Sequence, residues 1–280
     1  MAEERVAILG GKGMLGTDLA EICQHQGFHV QVLDLPEFDI TNAQQLGRAV
    51  DTAQAIVNCA AYTNVDGAES EPELAYRINA EALGRLGALA KQANLWVLHI
   101  STDFVFDGKL DRPYVETDEP HPISEYGRTK LDGERLLIES GCAHCIMRVE
   151  WTYGRHGQNF VTKLIPRAQT GQTLKVVDDQ VGSPTATTEV AKVICKLLRL
   201  KPSGLFHFAS AGYVSRYEMA KFIFETLSTD VEVVPCKTSD YVTPAARPLN
   251  SRFDCGKIKA LLGESIEPWQ VPLEEFLRQL

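Results

Sequence analysis

The sequence predicts an α/β protein with a Rossmann-type, doubly wound parallel sheet and a smaller interleaved lobe. Three observations predict this fold class. Short, nearly continuous apolar runs alternate with helix-like segments over the first 150 residues, a glycine-rich turn directly follows the first run, and the alternation loosens after Trp151. Continuous apolar strands are typical of a parallel sheet that helices cover on both faces.

Five apolar runs are the predicted strands of the sheet: "RVAIL" (5–9), "HVQVLD" (29–34), "AIVN" (55–58), "WVLHIS" (96–101) and "CIMRV" (145–149). The segments between them have helical periodicity, including Met14 to about His25 and one long helix from Pro72 to Asn94. Thr41 is the expected N-cap of the helix "NAQQLGRAV", and proline suits the first turn of the long helix.

The second half of the chain is expected to serve both parts of the fold. We predict one domain from residues 1–150, joined by about 181–208, and a lobe formed mainly by residues 151–280. The segments "TTEVAKVICKLLRL" and "GLFHF" should return to the first domain. A helix near 159–170, the strand "LKVV" and a helix near 215–228 should belong to the lobe.

Composition and charge narrow the class of protein. The chain is 44% hydrophobic and 23% charged, with a net charge of −9 that argues against nucleic acid or an anionic membrane as a partner. No apolar stretch has the length of a membrane span, and the start does not resemble a signal peptide.

The seven scattered cysteines indicate a reducing, cytoplasmic compartment. Cys142 and Cys145 form a C-x-x-C without a second ligand pair, so we interpret them as plain thiols, with a redox or metal role as the alternative.

The turn "LGGKGMLG" (9–16) is the strongest motif of the first domain. Gly10, Gly13 and Gly16 stand between a strand and a helix, where glycines permit a tight turn and let the backbone approach a pyrophosphate. The free N–H groups at the start of the helix attract the phosphates. This arrangement predicts a dinucleotide site, with a purely structural turn as the alternative.

Asp34 stands at the end of the second predicted strand, where a carboxylate can accept hydrogen bonds from the adenosine ribose of a dinucleotide. The alternative interpretation is a solvated acid at the end of a strand. A carboxylate repels a 2′-phosphate, so Asp34 favours NAD over NADP, although Lys12 in the glycine loop can offset that repulsion.

Two Tyr-x-x-x-Lys pairs occur, in "SEYGRTK" (124–130) and "SRYEMAK" (215–221). Tyr126 and Lys130 follow the fourth strand, whose carboxyl end lies at the edge where ligands bind. Lys130 should lower the pKa of the Tyr126 phenol, and Thr102 should hydrogen-bond a reacting carbonyl. Tyr217 and Lys221 instead lie on an amphipathic helix with an apolar stripe, so we interpret that pair as structural.

The glycine loop, the hydroxyl after the fourth strand and Tyr126-x-x-x-Lys130 resemble the extended short-chain dehydrogenase/reductase family. Narrower matches resemble the dTDP-4-dehydrorhamnose reductase family: "NCAAYTNVDGAESEPELAYRIN" (58–79), "STDFVFDG" (101–108), "RVEWTYG" (148–154), "DQVGSPT" (179–185) and "ARPLNSRFD" (246–254). The resemblance implies hydride transfer from NADPH or NADH to C4 of a nucleotide-linked 4-keto-6-deoxyhexose.

The resemblance also implies the site residues. The catalytic residues would be Thr102, Tyr126 and Lys130. The cofactor would contact Gly10, Gly13, Met14, Leu15, Gly16, Asp34, Asp39, Ile40, Ala61, Tyr62, Thr63, Tyr126 and Lys130. The sugar nucleotide would contact Thr102, Asp103, Trp151 and, through its diphosphate, Arg247, whose forked guanidinium suits phosphate.

Two departures from the family pattern bear on the site. Glu150 replaces a small residue before Trp151, which is expected to alter the choice of sugar. Some members hold magnesium at a dimer interface through glutamates, but here Asp18 and Thr188 fall at two of those positions and the third is missing. We therefore expect no metal, and either a monomer or a homodimer.

Competing functions of the same fold remain open. A 4,6-dehydratase needs a glutamate after the threonine, and Asp103-Phe104 lacks it. An epimerase, another sugar-nucleotide reductase, or a non-catalytic NAD(P)-binding regulatory subunit are the alternatives. Consumption of NAD(P)H with a 4-keto sugar nucleotide discriminates among these classes.

Overall fold

The computed structural model describes residues 4–168 and 171–280. Its strands are β1 (Arg5–Leu9), β2 (His29–Leu33), β3 (Ala55–Asn58), β4 (Trp96–Thr102), β5 (His144–Val149), β6 (Thr152–Tyr153), β7 (Leu174–Val177), β8 (Val181–Gly182), β9 (Thr185–Ala186), β10 (Gly204–Phe208), β11 (Val214–Ser215) and β12 (Val233–Cys236).

The α-helices over the same described residues are α1 (Met14–His25), α2 (Ala43–Thr52), α3 (Val65–Ser70), α4 (Pro72–Tyr76), α5 (Ala82–Gln92), α6 (Glu125–Glu139), α7 (Phe160–Ala168), α8 (Thr187–Leu200), α9 (Arg216–Thr226), α10 (Gly256–Leu262) and α11 (Gln270–Leu277). None of them is both long and apolar enough to cross a membrane.

The central sheet is parallel throughout, with strand order β10-β5-β4-β3-β1-β2. The chain runs from β1 to one edge at β2, then crosses back to β3 and continues to the other edge. The predicted doubly wound α/β fold is therefore confirmed. In such a sheet the order reverses between β1 and β3, and ligands bind outside the carboxyl ends of the strands at that point.

Successive side chains of β1 point to opposite faces of the sheet, and both faces are buried, which explains why this strand is almost entirely apolar. Val6 and Ile8 pack into one buried cluster with α1 and α8, whereas Ala7 and Leu9 pack into a second cluster with α2, α5 and α6. Helices thus cover the residues from Val6 to Leu9 on one face or the other.

A third buried cluster lies outside the sheet and draws its residues from 153 to 277, with Tyr153, Leu164, Ile223 and Trp269 among them. It contains α7, α9 and the predicted strand "LKVV", which is β7 and pairs in parallel with β12. In contrast, α8 packs on α1 and β10 pairs with β5, so the segments 187–200 and 204–208 return to the sheet. The division into two domains at residue 150 stays a prediction.

Several predicted boundaries are wrong in detail. Asn42, and not Thr41, caps α2, because its side chain accepts the backbone N–H groups of Gln44 and Gln45. The long helix from Pro72 is interrupted by a π-helical turn at Arg77–Glu81 and ends at Gln92. The predicted end of the helix near residue 170 lies outside the described residues.

Candidate active site

A cavity of about 640 Å³ opens at the carboxyl ends of the sheet strands. Its wall combines the turn after β1, the end of β2, the segment after β3, the ends of β4 and β5, and the start of α6. Fifteen of the predicted site residues line it: Gly10, Gly13, Met14, Leu15, Gly16, Asp34, Asp39, Ile40, Ala61, Thr63, Thr102, Asp103, Tyr126, Lys130 and Trp151.

The glycine loop is shaped for close approach of the backbone to neighbouring groups. Gly10 has φ +72°, and a Cβ there would lie 2.6 Å from the backbone nitrogen of Ala60. A Cβ on Gly16 would lie 2.2 Å from the carbonyl oxygen of Gly10. Gly13 caps α1 without a side-chain hydrogen bond, so the first N–H groups of the helix remain available to an anion.

Asp34 and Lys12 meet at the rim of this cavity. The Asp34 carboxylate accepts the backbone N–H groups of Lys12 and Leu35, each at 2.8 Å. The Lys12 ammonium does not point at Asp34, since it forms an ion pair with Glu37 at 2.5 Å. Glu37 therefore neutralises Lys12, the residue that was expected to offset the repulsion between Asp34 and a 2′-phosphate.

Thr102 and Tyr126 both line the cavity, and Thr102 is close enough to act on the pKa of the Tyr126 phenol. The Thr102 hydroxyl donates to Oδ1 of Asp103 at 3.0 Å. Close packing of α6 brings them together: a Cβ on Gly127 would lie 2.1 Å from the carbonyl oxygen of Phe104. The Tyr126 ring packs edge-on against Phe104, with 5.5 Å between ring centres.

The expected effect of Lys130 on Tyr126 is wrong. Burial raises the pKa of Tyr126 to about 12, and Thr102 opposes that rise only in part. Burial also lowers the pKa of Lys130 to about 8. The Lys130 amine donates to the carbonyl oxygen of Ile100 at 2.8 Å and lies 3.1 Å from Nε2 of His99. Tyr126 consequently keeps its proton at neutral pH, as a proton donor must.

A second cavity of about 380 Å³ shares Phe104, Trp151 and Arg216 with the first. Its described lining carries the cations Arg167, Lys175, Arg216 and Arg247 in a chain whose net charge is −9. Arg247 is held by Asp66 at 2.7 Å and by the carbonyl oxygen of Ala245 at 2.6 Å. This cavity suits an anionic ligand such as a diphosphate.

Arg216 is the functional candidate that the sequence analysis missed. Its guanidinium carbon lies 3.5 Å from the centre of the Trp151 ring and 4.8 Å from that of Phe160. Burial lowers its pKa to about 9, against the opposing effect of the carboxylates of Asp103 and Glu150. Its only sequence signal is its place in the first turn of α9, directly before the rejected Tyr217.

Glu150 does not line either cavity. Its buried carboxylate accepts the backbone N–H of Ser183 at 2.8 Å and that of Phe253 at 3.1 Å. Burial, with Asp103 adding to it, raises the pKa of Glu150 well above the ordinary value. Glu150 thus ties together the motifs 179–185 and 246–254, and any influence on the sugar is indirect.

Other candidate residues lie apart from the cavities. Tyr62 donates its hydroxyl to Glu71 at 2.5 Å and does not line the cofactor cavity. Tyr217 packs against the third buried cluster, and the Lys221 amine lies 5.8 Å from its ring centre. Asp18 is buried and accepts the hydroxyl of Thr187.

Comparison with known proteins agrees with this geometry. The family model described as "RmlD substrate binding domain" matches residues 4–280. The chain is 37% identical over 285 residues to the dTDP-4-dehydrorhamnose reductase of Aggregatibacter actinomycetemcomitans, covering 96% of this chain and 97% of that relative.

Solved structures of dTDP-4-dehydrorhamnose reductases are also similar over nearly their whole length. That from Clostridium acetobutylicum has a TM-score of 0.94 and 36% identity, covering 98% of this chain and 99% of the other. That from Bacillus anthracis, in complex with NADP, has a TM-score of 0.95 and 35% identity, covering 99% and 100%. The resemblance predicted from the motifs is confirmed, and the chain belongs to the dTDP-4-dehydrorhamnose reductase family.

Proposed function

We propose that the protein is an oxidoreductase that reduces the C4 ketone of a nucleotide-linked 4-keto-6-deoxyhexose, converting dTDP-4-dehydrorhamnose to dTDP-L-rhamnose with NADPH or NADH. One observation carries the proposal: Tyr126 and Thr102 line the same cavity, and the Tyr126 ring packs on Phe104, which lines both the glycine-loop cavity and the cationic cavity. The names of the relatives support the substrate class.

The first cavity fits a dinucleotide, because Gly10 and Gly16 leave no room for side chains where the backbone must approach phosphates. A reduced nicotinamide bound there would supply the hydride. The residues proposed to hold the cofactor are Gly10, Gly13, Met14, Leu15, Gly16, Asp34, Asp39, Ile40, Ala61, Thr63, Tyr126 and Lys130. Tyr62 is the weakest of the predicted contacts, since its hydroxyl is engaged by Glu71.

Tyr126 is the proposed general acid. Its raised pKa keeps the phenol protonated, and it gives that proton to the ketone oxygen as negative charge develops there. Thr102 adjoins Tyr126 and stabilises the same oxygen by a hydrogen bond. The Lys130 amine is held by Ile100 and would hydrogen-bond a ribose hydroxyl of the cofactor.

The second cavity is the proposed site of the nucleoside diphosphate. Arg247 and Arg216 present guanidinium groups to the diphosphate, and Trp151, whose ring Arg216 covers on one side, is the proposed contact for the sugar ring. Asp103 adjoins Thr102 and is the proposed polar contact for the sugar. In this assignment residues 151–280 mainly bind the sugar nucleotide, and residues 1–150 bind the cofactor.

We propose that the protein uses both NADPH and NADH as the hydride donor. Asp34 favours the unphosphorylated ribose, and Glu37 forms an ion pair with the nearby Lys12, so these three residues of the rim do not select strongly for a 2′-phosphate. The relative from Bacillus anthracis was solved with NADP, which supports tolerance of the phosphate in this family.

The proposed setting is the cytoplasm, with the protein acting as a monomer or homodimer that does not bind nucleic acid. The support is chemical: all seven cysteines are free thiols, as in a reducing compartment, and the chain is acidic.

The test is a direct assay of the purified protein. Oxidation of NADPH and NADH is followed with dTDP-4-dehydrorhamnose, and the product is identified as dTDP-L-rhamnose by NMR. Turnover without rhamnose formation would indicate a reductase for a different sugar. Binding of NAD(P)H without turnover of any 4-keto sugar nucleotide would indicate the non-catalytic binding subunit.

A further inference from the structure

Three buried polar side chains form a line that ends at Lys130. Asn58 on β3 and His99 on β4 are paired neighbours in the sheet, and Nδ2 of Asn58 lies 3.0 Å from Nδ1 of His99. On the other side of the ring, Nε2 of His99 lies 3.1 Å from the Lys130 amine. All three residues are at most 2% exposed, so their contacts with one another are shielded from bulk solvent.

The orientation of the Asn58 amide follows from its second neighbour. The backbone N–H of Ala60 donates to Oδ1 of Asn58 at 3.1 Å. Because a backbone N–H cannot accept, the amide oxygen faces Ala60 and the amide NH₂ faces His99. His99 is neutral, because an imidazolium would also place an Nδ1–H against the amide NH₂ of Asn58, and burial lowers the pKa of His99 well below the ordinary value. Nδ1 of His99 therefore accepts, and its single ring proton is on Nε2.

The Nε2–H proton of His99 points at the amine of Lys130. An ammonium group has three N–H donors and no lone pair, so a charged Lys130 would meet His99 donor against donor. A neutral amine has one lone pair and accepts the Nε2–H, while it still donates to Ile100 at 2.8 Å.

Rotating the Asn58 amide by 180°, so that its oxygen faces His99, does not remove the conflict between hydrogen-bond donors. The amide NH₂ would then face the N–H of Ala60, so the clash of donors moves there. A buried donor without an acceptor is destabilising, because it loses its hydrogen bond to water and gains none in the protein. With Lys130 neutral, each of the contacts Ala60–Asn58, Asn58–His99 and His99–Lys130 joins one donor to one acceptor.

We propose that His99 is a positioning residue that favours the neutral amine of Lys130 in the cofactor-free enzyme, so that Lys130 exchanges a proton near working pH and is not a permanent cation. Burial, which lowers the pKa of Lys130 to about 8, acts in the same direction, whereas Glu134 and Cys59 oppose it.

The inference rests on the proposed role of Lys130, but its first test needs no turnover. The full-length, cofactor-free protein with ¹⁵N-labelled histidine rings is studied by NMR at neutral pH. We expect His99 as the Nε2–H tautomer. His207 supplies a reference in the same spectrum, because its Nδ1 lies 3.1 Å from the carbonyl oxygen of Tyr114 and must carry the proton. Detection of His99 as the Nδ1–H tautomer would overturn the proposal.

Asn58→Asp is the decisive variant, because a carboxylate accepts from both Ala60 and Nδ1–H of His99. Nε2 then faces Lys130 with a lone pair and stabilises the ammonium. We expect His99 to change to the Nδ1–H tautomer, and the alkaline limb of kcat/KM to move upward by at least one pH unit. A changed tautomer with an unmoved limb would refute the link to Lys130. The expected tautomers in a protein without reductase activity would uphold the inference and reject the proposed function instead.

Discussion

The guanidinium of Arg216 lies 3.5 Å from the centre of the Trp151 ring, in the wall that the two cavities share. Among the described residues no carboxylate forms an ion pair with it, although Asp103 and Glu150 act on it electrostatically. A desolvated cation stacked on an aromatic ring is held in one orientation. We therefore propose that Arg216 binds the part of the sugar nucleotide that joins sugar to nucleoside.

Arg216→Met should weaken binding of the sugar nucleotide. A hydrogen bond to a charged group contributes about 1.5–3 kcal/mol, so KM for the sugar nucleotide should rise about 10- to 150-fold. KM for the cofactor should change little. Steady-state kinetics with each reactant varied in turn measure both constants. Lys221→Met is the matched control on the exposed face of α9, and an equal effect of both variants would exclude a specific contact.

Tyr126→Phe should abolish the proton donor and keep the ring that packs on Phe104. Turnover should fall by about 10²–10⁴ while binding of cofactor and substrate survives. The measurement combines steady-state turnover with a binding titration. Tyr217→Phe alters the other Tyr-x-x-x-Lys pair and should leave turnover nearly intact. A Tyr126→Phe enzyme as fast as the parent would show that "SEYGRTK" is not the catalytic motif.

Cofactor choice should depend on the Lys12–Glu37 pair, which is joined at 2.5 Å on the surface. The parent should not prefer NADPH by more than about a hundredfold, equivalent to roughly 2.7 kcal/mol. Glu37→Gln releases Lys12 toward a 2′-phosphate and should raise kcat/KM for NADPH relative to NADH by a few fold, since exposed pairs contribute up to about 1 kcal/mol. Glu264→Gln breaks a similar surface pair with Lys196 and serves as control. A stronger NADPH preference in the parent would refute the role given to Asp34.

Glu150→Gln should destabilise the fold, because only one of the backbone N–H groups of Ser183 and Phe253 keeps an oxygen acceptor. We expect a loss of about 1–3 kcal/mol at pH 5 in denaturant unfolding. Exposed Glu139→Gln is the control.

The loss of stability caused by Glu150→Gln should become smaller as the pH rises. Because the folded-state pKa of Glu150 is raised, its contribution to stability is complete below its unfolded pKa and is lost as pH rises through the folded value. Glutamine has no such ionisation. The gap between parent and variant should therefore narrow from pH 5 to pH 8, and a widening gap would show that the buried carboxylate is stabilised as an anion.

Local patterns were sufficient to predict the sheet and the residues at its carboxyl edge. Branched apolar runs specify buried parallel strands, and Gly10 and Gly16 specify a turn that excludes side chains. Parallel strands bring the segments that follow them to one edge, so Thr102, Tyr126 and Lys130 meet there once the strands are recognised. Each of these inferences depends on residues within a few positions of one another, or on a rule of sheet topology.

Only the tertiary structure determined the protonation states of the site residues and the groups that they contact. Arg216 enters the site from α9, Glu150 bonds two loops distant in sequence, and the Asn58–His99 pair reaches Lys130 through the sheet. The expected lowering of the Tyr126 pKa was wrong for the same reason, since burial outweighs the spacing of two residues on a helix. Desolvation and hydrogen-bond satisfaction depend on whatever long-range packing brings against a group. The sequence by itself determined which elements form and where their ends meet, and packing determined which side chains there are buried, paired or charged.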